Sequence, residues 1–205
     1  RGAIDRLETA MERGAVSVEP RLIFGAPKTY SEMAQCYDLS VVMQSDDDNG
    51  INNGILIEAA LFDSGRPLII VPRIQQGGLK LDRVVCCWDG SRTAARAIND
   101  ALPMLRQAGA VELFIVETEK IVNEKVLRGA EIGRHLARHD INVEVKTVRA
   151  ADADVAKAIL SHVADGSVDL LVMGGYGHSR LREFVFGGAT RGMLSAMTVP
   201  VFMSH

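Results

Sequence analysis

Apolar residues in this chain fall into two alternating patterns. Short unbroken runs such as Val84-Val-Cys-Cys87, Leu113-Phe-Ile-Val116 and Leu170-Leu-Val-Met173 have the length and continuity of parallel strands covered on both faces. Between them the apolar positions shift to helical spacing, as in Ala94, Ala97, Ile98, Ala101, Leu102 and Leu105, or Val155, Ile159 and Val163. The second half therefore predicts strands at 83–88, 111–116, 142–148, 169–173 and 199–203. Helices follow Ser91, which suits an N-cap, and span 124–139, 154–164 and 189–196. Pro103 is expected to kink or shorten the first of them. Five strands alternating with four helices imply a parallel, doubly wound sheet with right-handed crossovers.

The first half repeats the later part of that pattern. It predicts a helix at 4–13, a strand at 20–25, a helix at 29–36, a strand at 38–44, a helix at 54–62 and a strand at 67–71. Asp38-Leu-Ser-Val-Val-Met43 parallels Asp169-Leu-Leu-Val-Met173, and Pro67-Leu-Ile-Ile-Val71 parallels Pro200-Val-Phe-Met203. The repeat divides the chain into an incomplete unit, 1–73, a linker at 74–78 rich in Gln and Gly, and a complete unit, 79–205. Aligning Val18-Glu19 with Val143-Glu144 leaves the first unit short by about 45 to 50 residues. If the two units are duplicates, their final strands, 67–71 and 201–203, are the natural edges through which they meet.

Composition narrows the partners. The 205 residues are 47% hydrophobic with a net charge of −3, which suits one large or two small domains. That balance gives no reason to expect nucleic acid or an anionic membrane as partner. No apolar run approaches a membrane span of roughly 20 residues. Nothing reads as a secretory signal, and three cysteines, Cys36, Cys86 and Cys87, fit a reducing cytoplasm better than a disulfide framework. Adjacent Cys86 and Cys87 lie in an apolar strand and are expected to be buried, inert thiols. His135, His139, His162 and His205 are scattered on presumed helix surfaces or the terminus. They form neither a triad nor a metal cluster.

The chemistry concentrates between the fourth and fifth strands of the second half. Gly174 and Gly177 turn the chain at the end of a buried strand; after nine intervening residues, Gly187 and Gly188 precede a helix. A helix start offers unpaired N–H groups and positive dipole character, and glycines let an anion approach those donors. Strand, spacing and closing strand together resemble the nucleotide-binding signature of the universal stress protein family. The resemblance implies a five-stranded parallel sheet of order 3-2-1-4-5, Rossmann-like and of the adenine nucleotide alpha hydrolase-like type, in tandem with a partial copy. It implies ATP, with magnesium, as ligand. Asp89, in Trp88-Asp-Gly-Ser91, matches the family's aspartate at the ribose, and Val116 the position whose backbone meets adenine. By the same resemblance, Gly174, Gly177, His178, Gly187, Gly188, Ala189 and Thr190 are expected around the phosphates. One departure stands out: many ATP-binding members carry Ser or Thr where this chain has Gly188, a lost hydrogen bond worth about 0.5–1.5 kcal/mol. The first half lacks the signature, since Ser45-Asp-Asp-Asp-Asn49 would repel phosphates.

Two function classes follow. One is a cytoplasmic, nucleotide-binding stress-response protein whose ligand alters its interactions. The other is a ligand-free scaffold that only dimerises. In either case a homo-oligomer or an intramolecular pseudo-dimer is expected. No paired carboxylates, activated nucleophile or Walker lysine is present in the sequence to support fast phosphoryl transfer, so catalysis beyond slow ATP hydrolysis is not expected.

Overall fold

The computed structural model describes residues 9, 17–45, 53–118, 124–151, 154–175 and 188–205. Strands and helices alternate as β1 (Ser40–Met43), β2 (Leu68–Val71), β3 (Arg83–Cys87), β4 (Ala110–Glu117), β5 (Val143–Arg149), β6 (Leu170–Gly174) and β7 (Val201–Ser204). Between them run helices α1 (Pro27–Ala34), α2 (Gly54–Asp63), α3 (Arg92–Asp100), α4 (Leu102–Leu105), α5 (Glu124–Ala137), α6 (Val155–Asp165) and α7 (Gly188–Ala196). All seven strands form one sheet, in the order β1-β2-β7-β6-β3-β4-β5.

Within that sheet β5-β4-β3-β6-β7 is the expected 3-2-1-4-5 arrangement, and every pair in it is parallel. The central strands are covered on both faces, which is why they read as continuous apolar runs. On one face Val85, Phe114, Leu171 and Met203 meet Ile57 and Leu61 of α2, Ile159 and Val163 of α6, Met193 of α7 and Met197 just after it. On the other, Val84, Leu113, Leu170 and Phe202 lie under α3, α4 and Leu136 of α5. β5 closes one edge with largely exposed, charged positions, a composition that discourages pairing with other chains. The helix after Ser91 is broken at Ala101, and Pro103 opens the short α4, where its missing N–H costs nothing.

The two final strands meet as their edges suggested. β2 pairs antiparallel with β7, Leu68 opposite Met203, Ile69 opposite Phe202 and Ile70 opposite Val201, so the first half extends the sheet of the second. Arg96 of α3 spans the same seam, donating to the Gly65 carbonyl at 2.7 Å and the His205 carbonyl at 2.9 Å. The expected strand at 20–25 is not formed; residues 17–24 have no regular structure and leave Leu22 and Phe24 71% and 83% exposed. A strand exists only with a ladder partner, and among the described residues β1 pairs with β2 alone. The expected helix at 4–13 and most of the acidic stretch after Ser45 lie outside the described residues.

One histidine departs from expectation. His162 of α6 does not sit on a helix surface. Its ring stacks on Phe114 with centroids 4.1 Å apart, and its Nε2 lies 2.5 Å from Oε1 of Glu112. Arg83 donates to the other oxygen, Oε2, at 2.8 Å. Glu112 and His162 side chains are only 4% and 9% exposed, whereas Arg83 reaches solvent. The cluster lies at the start of β3 and β4, the end of the sheet away from the glycine motif.

Candidate functional site

The winding of the sheet reverses between β3 and β6, and in open α/β sheets ligands bind beyond the carboxyl ends of the strands at such a switch. Asp89 stands just past the end of β3. Its Oδ1 accepts the Ser91 N–H at 2.8 Å across Gly90, whose φ of 75° favours glycine. Ser91 Oγ in turn accepts the Ala94 N–H at 3.1 Å, capping α3. The turn that begins α3 therefore fixes the Asp89 carboxylate at the mouth of the crevice.

Val116 is buried near the end of β4, and the strand's hydrogen bonds give its backbone a direction. The Phe114 carbonyl accepts from Trp88 of the β3 side, and the Glu117 carbonyl accepts from Ala150 of the β5 side. Alternate residues of a parallel strand address opposite neighbours, so the N–H and C=O of Val116 turn toward β3, past its last residue, Cys87. Carrying the register Cys87 opposite Phe114 two residues on sets Asp89 level with Val116. The ends of β3 and β4 thus bring together a carboxylate and an outward-turned peptide group.

Gly174 ends β6, where it pairs with Ser204 of β7. A Cβ at this position would lie 2.5 Å from the Ala94 nitrogen and 2.6 Å from the Thr93 carbonyl carbon. Glycine here lets the N-terminus of α3 close against β6, a packing role that its sequence context did not reveal. Gly188, Ala189 and Thr190 are the first three residues of α7, with Thr190 buried; the N–H groups of such a first turn have no intrahelical acceptor. Gly177, His178 and Gly187 lie outside the described residues.

Two polar atoms at these strand ends went unrecognised in the sequence. Trp88 Nε1, at the end of β3, and Thr118 Oγ1, just after β4, are buried and have no hydrogen-bond partner among the described residues, and buried donors of this kind call for a partner. A lone tryptophan in an apolar run reads as core, and a threonine between two glutamates reads as loop, so neither carried a signal. Cys86 is buried as expected, and burial pushes its thiol up to about 12, whereas Cys87 is only half-buried. The Cys87 thiol is also pushed up, first by burial and then by Cys86, Asp89 and Glu112, a shift that disfavours the reactive thiolate at both positions. Among the described residues no group of three His, Cys, Asp or Glu side chains is arranged to hold a metal, and none of their helices is long and apolar enough to cross a membrane.

The sequence profile of the Universal stress protein family matches residues 80–205. The chain belongs to the universal stress protein family. A family member from Synechocystis sp., universal stress protein Slr1230, is 26% identical over 151 residues, covering 72% of this chain and 50% of that protein. The chain thus spans about half the length of the curated relative it matches. Among solved structures, a universal stress protein from Archaeoglobus fulgidus superposes with a TM-score of 0.76 at 20% identity, over 98% of this chain and 76% of that one. A putative universal stress protein from Pseudomonas aeruginosa UCBPP-PA14 gives 0.65 at 14% identity, over 99% and 77%. Both cover the β1–β2 half as well as the profile-matched region, so the seven-stranded fold as a whole is similar to theirs.

Proposed function

We propose that this chain is an ATP-binding universal stress protein acting through ligand-dependent interactions. The observation that carries the reading is the pairing of Asp89 with the outward-turned peptide of Val116 at the switch point. A carboxylate suits ribose hydroxyls, and a peptide N–H with its carbonyl suits the donor and acceptor edge of adenine. The first turn of α7, Gly188, Ala189 and Thr190, together with Gly174, Gly177, His178 and Gly187 of the glycine motif, would hold the phosphates. The Trp88 and Thr118 donors at the ends of β3 and β4, without a partner among the described residues, fit a site that gains polar partners on filling. The residues named here would bind and orient ATP with its magnesium, with no group among them assigned to cleave it.

A ligand-free dimerising scaffold is the weaker reading. The β7 edge is occupied by β2 of the same chain, so a homo-oligomer of such a scaffold would need another surface. The tandem organisation, with 1–73 a degenerate unit that binds no nucleotide and 79–205 the binding unit, is part of the proposal.

Thermal unfolding with and without MgATP tests it. At ligand about 100-fold above its dissociation constant, linkage stabilises the protein by about 2.7 kcal/mol. At about 2–4 °C per kcal/mol for a chain of this size, the melting temperature should rise by roughly 5–10 °C. An unchanged melting temperature at millimolar MgATP, with no nucleotide retained through purification, would favour the scaffold.

A further inference from the structure

The helix that would carry the phosphates is held at its far end by the other half of the chain. Gln44, which follows β1, is buried, and its Nε2 donates to the Leu194 carbonyl at 2.7 Å and the Ser195 carbonyl at 3.4 Å. Its Oε1 accepts the Arg73 N–H at 3.2 Å, and its own N–H donates to the Val71 carbonyl at 2.8 Å. One side chain thus ties the ends of β1 and β2 to the last turn of α7, supplying a donor to carbonyls that a helix terminus leaves without intrahelical partners. An amide N–H also suits the negative end of the helix dipole. Met193 of α7 and Met197 just after it pack into the core beneath the sheet, flexible side chains that permit sliding. The directional hydrogen bonds are better suited to fixing the helix along its axis.

We propose that Gln44 is a positioning residue through which the β1–β2 half sets nucleotide affinity at the opposite end of α7. The inference rests on the nucleotide-binding reading of the site. A helix of nine residues is only about 13 Å long, so a shift at its last turn is passed to its first.

The test compares Gln44→Glu and Gln44→Leu with Ile69→Ala. Glu keeps the acceptor for Arg73 but turns an oxygen toward the α7 carbonyls; Leu removes both functions. Ile69 lies in the same junction but on the opposite face of the sheet from α7, so Ile69→Ala weakens the junction without touching the helix. MgATP affinity, measured well below each melting temperature, should fall roughly two- to thirty-fold in both Gln44 variants and stay at the wild-type value in Ile69→Ala. Equal affinity in all four proteins, or an equal loss in Ile69→Ala, would overturn the role. Amide exchange in 188–196 without nucleotide gives an independent readout: it should quicken in the Gln44 variants more than in Ile69→Ala. If wild-type protein fails to bind MgATP, the nucleotide reading fails, while exchange still decides whether Gln44 fixes α7; equal exchange in all variants would refute that as well.

Discussion

Replacing Gly174 with alanine is expected to lower the melting temperature by roughly 6–12 °C, from an overpacking cost of about 3 kcal/mol at about 2–4 °C per kcal/mol. The added Cβ would meet the Ala94 nitrogen at 2.5 Å and the Thr93 carbonyl carbon at 2.6 Å. These are backbone atoms, so no rotamer change relieves the clash and α3 must back away from β6. That movement opens the core where Ala94, Ala97 and Ile98 lie against the sheet. It also disturbs the turn that holds Asp89. Gly175→Ala provides the contrast: its nearest neighbours are the Leu61 Cδ2 and Met203 Cε atoms at 2.7 and 3.3 Å, ends of flexible side chains that can yield. Calorimetry of the two variants should show a far larger loss for Gly174→Ala. Equal melting temperatures would mean that the approach of α3 to β6 does not depend on glycine.

Glu112→Ala should be comparably damaging for an electrostatic reason. Breaking a buried ion pair by removing one partner costs about 3–5 kcal/mol, because the other is left without compensation in a poorly solvated place. The loss should sit near the lower end, since Arg83 can turn to water whereas His162, 9% exposed beneath α6, cannot. The exposed Arg149–Glu117 pair, 3.3 Å apart with the arginine side chain 91% exposed, calibrates the claim. Glu117→Ala should change stability by at most about 1 kcal/mol. Urea unfolding, with the midpoint shifting at constant slope, separates the two. A Glu112→Ala protein as stable as Glu117→Ala would show that the cluster contributes nothing net.

The parts of the fold that depend on local pattern were legible. Parallel strands buried on both faces declare themselves as unbroken apolar runs, which marked β3, β4, β6 and β7, and Pro103 marked the break between α3 and α4. Residues 20–25 failed because strand formation is not local: Leu22, Ile23 and Phe24 have the composition of a strand, but no described strand lies beside them. Contacts between distant residues were equally illegible. Glu112 and His162 are 50 positions apart, and an acidic residue inside β4 gives no sign of which helix will cover it. Gln44 likewise reads as the polar end of a strand until α7 is seen against it. At the site, Asp89 and Val116 were recognised by resemblance, whereas the direction of the Val116 peptide followed only from the register of β3, β4 and β5.

Nucleotide binding is the central claim, and equilibrium titration of the purified chain with MgATP tests it most directly, run beside a Gly187→Val/Gly188→Val double variant. Wild-type protein should bind one nucleotide per chain. The double variant should lose that binding while keeping its cooperative unfolding, because valine side chains hold a phosphate away from the amides at the start of α7. Absence of binding to the wild type would contradict the nucleotide reading, and undiminished binding to the double variant would place the phosphates elsewhere.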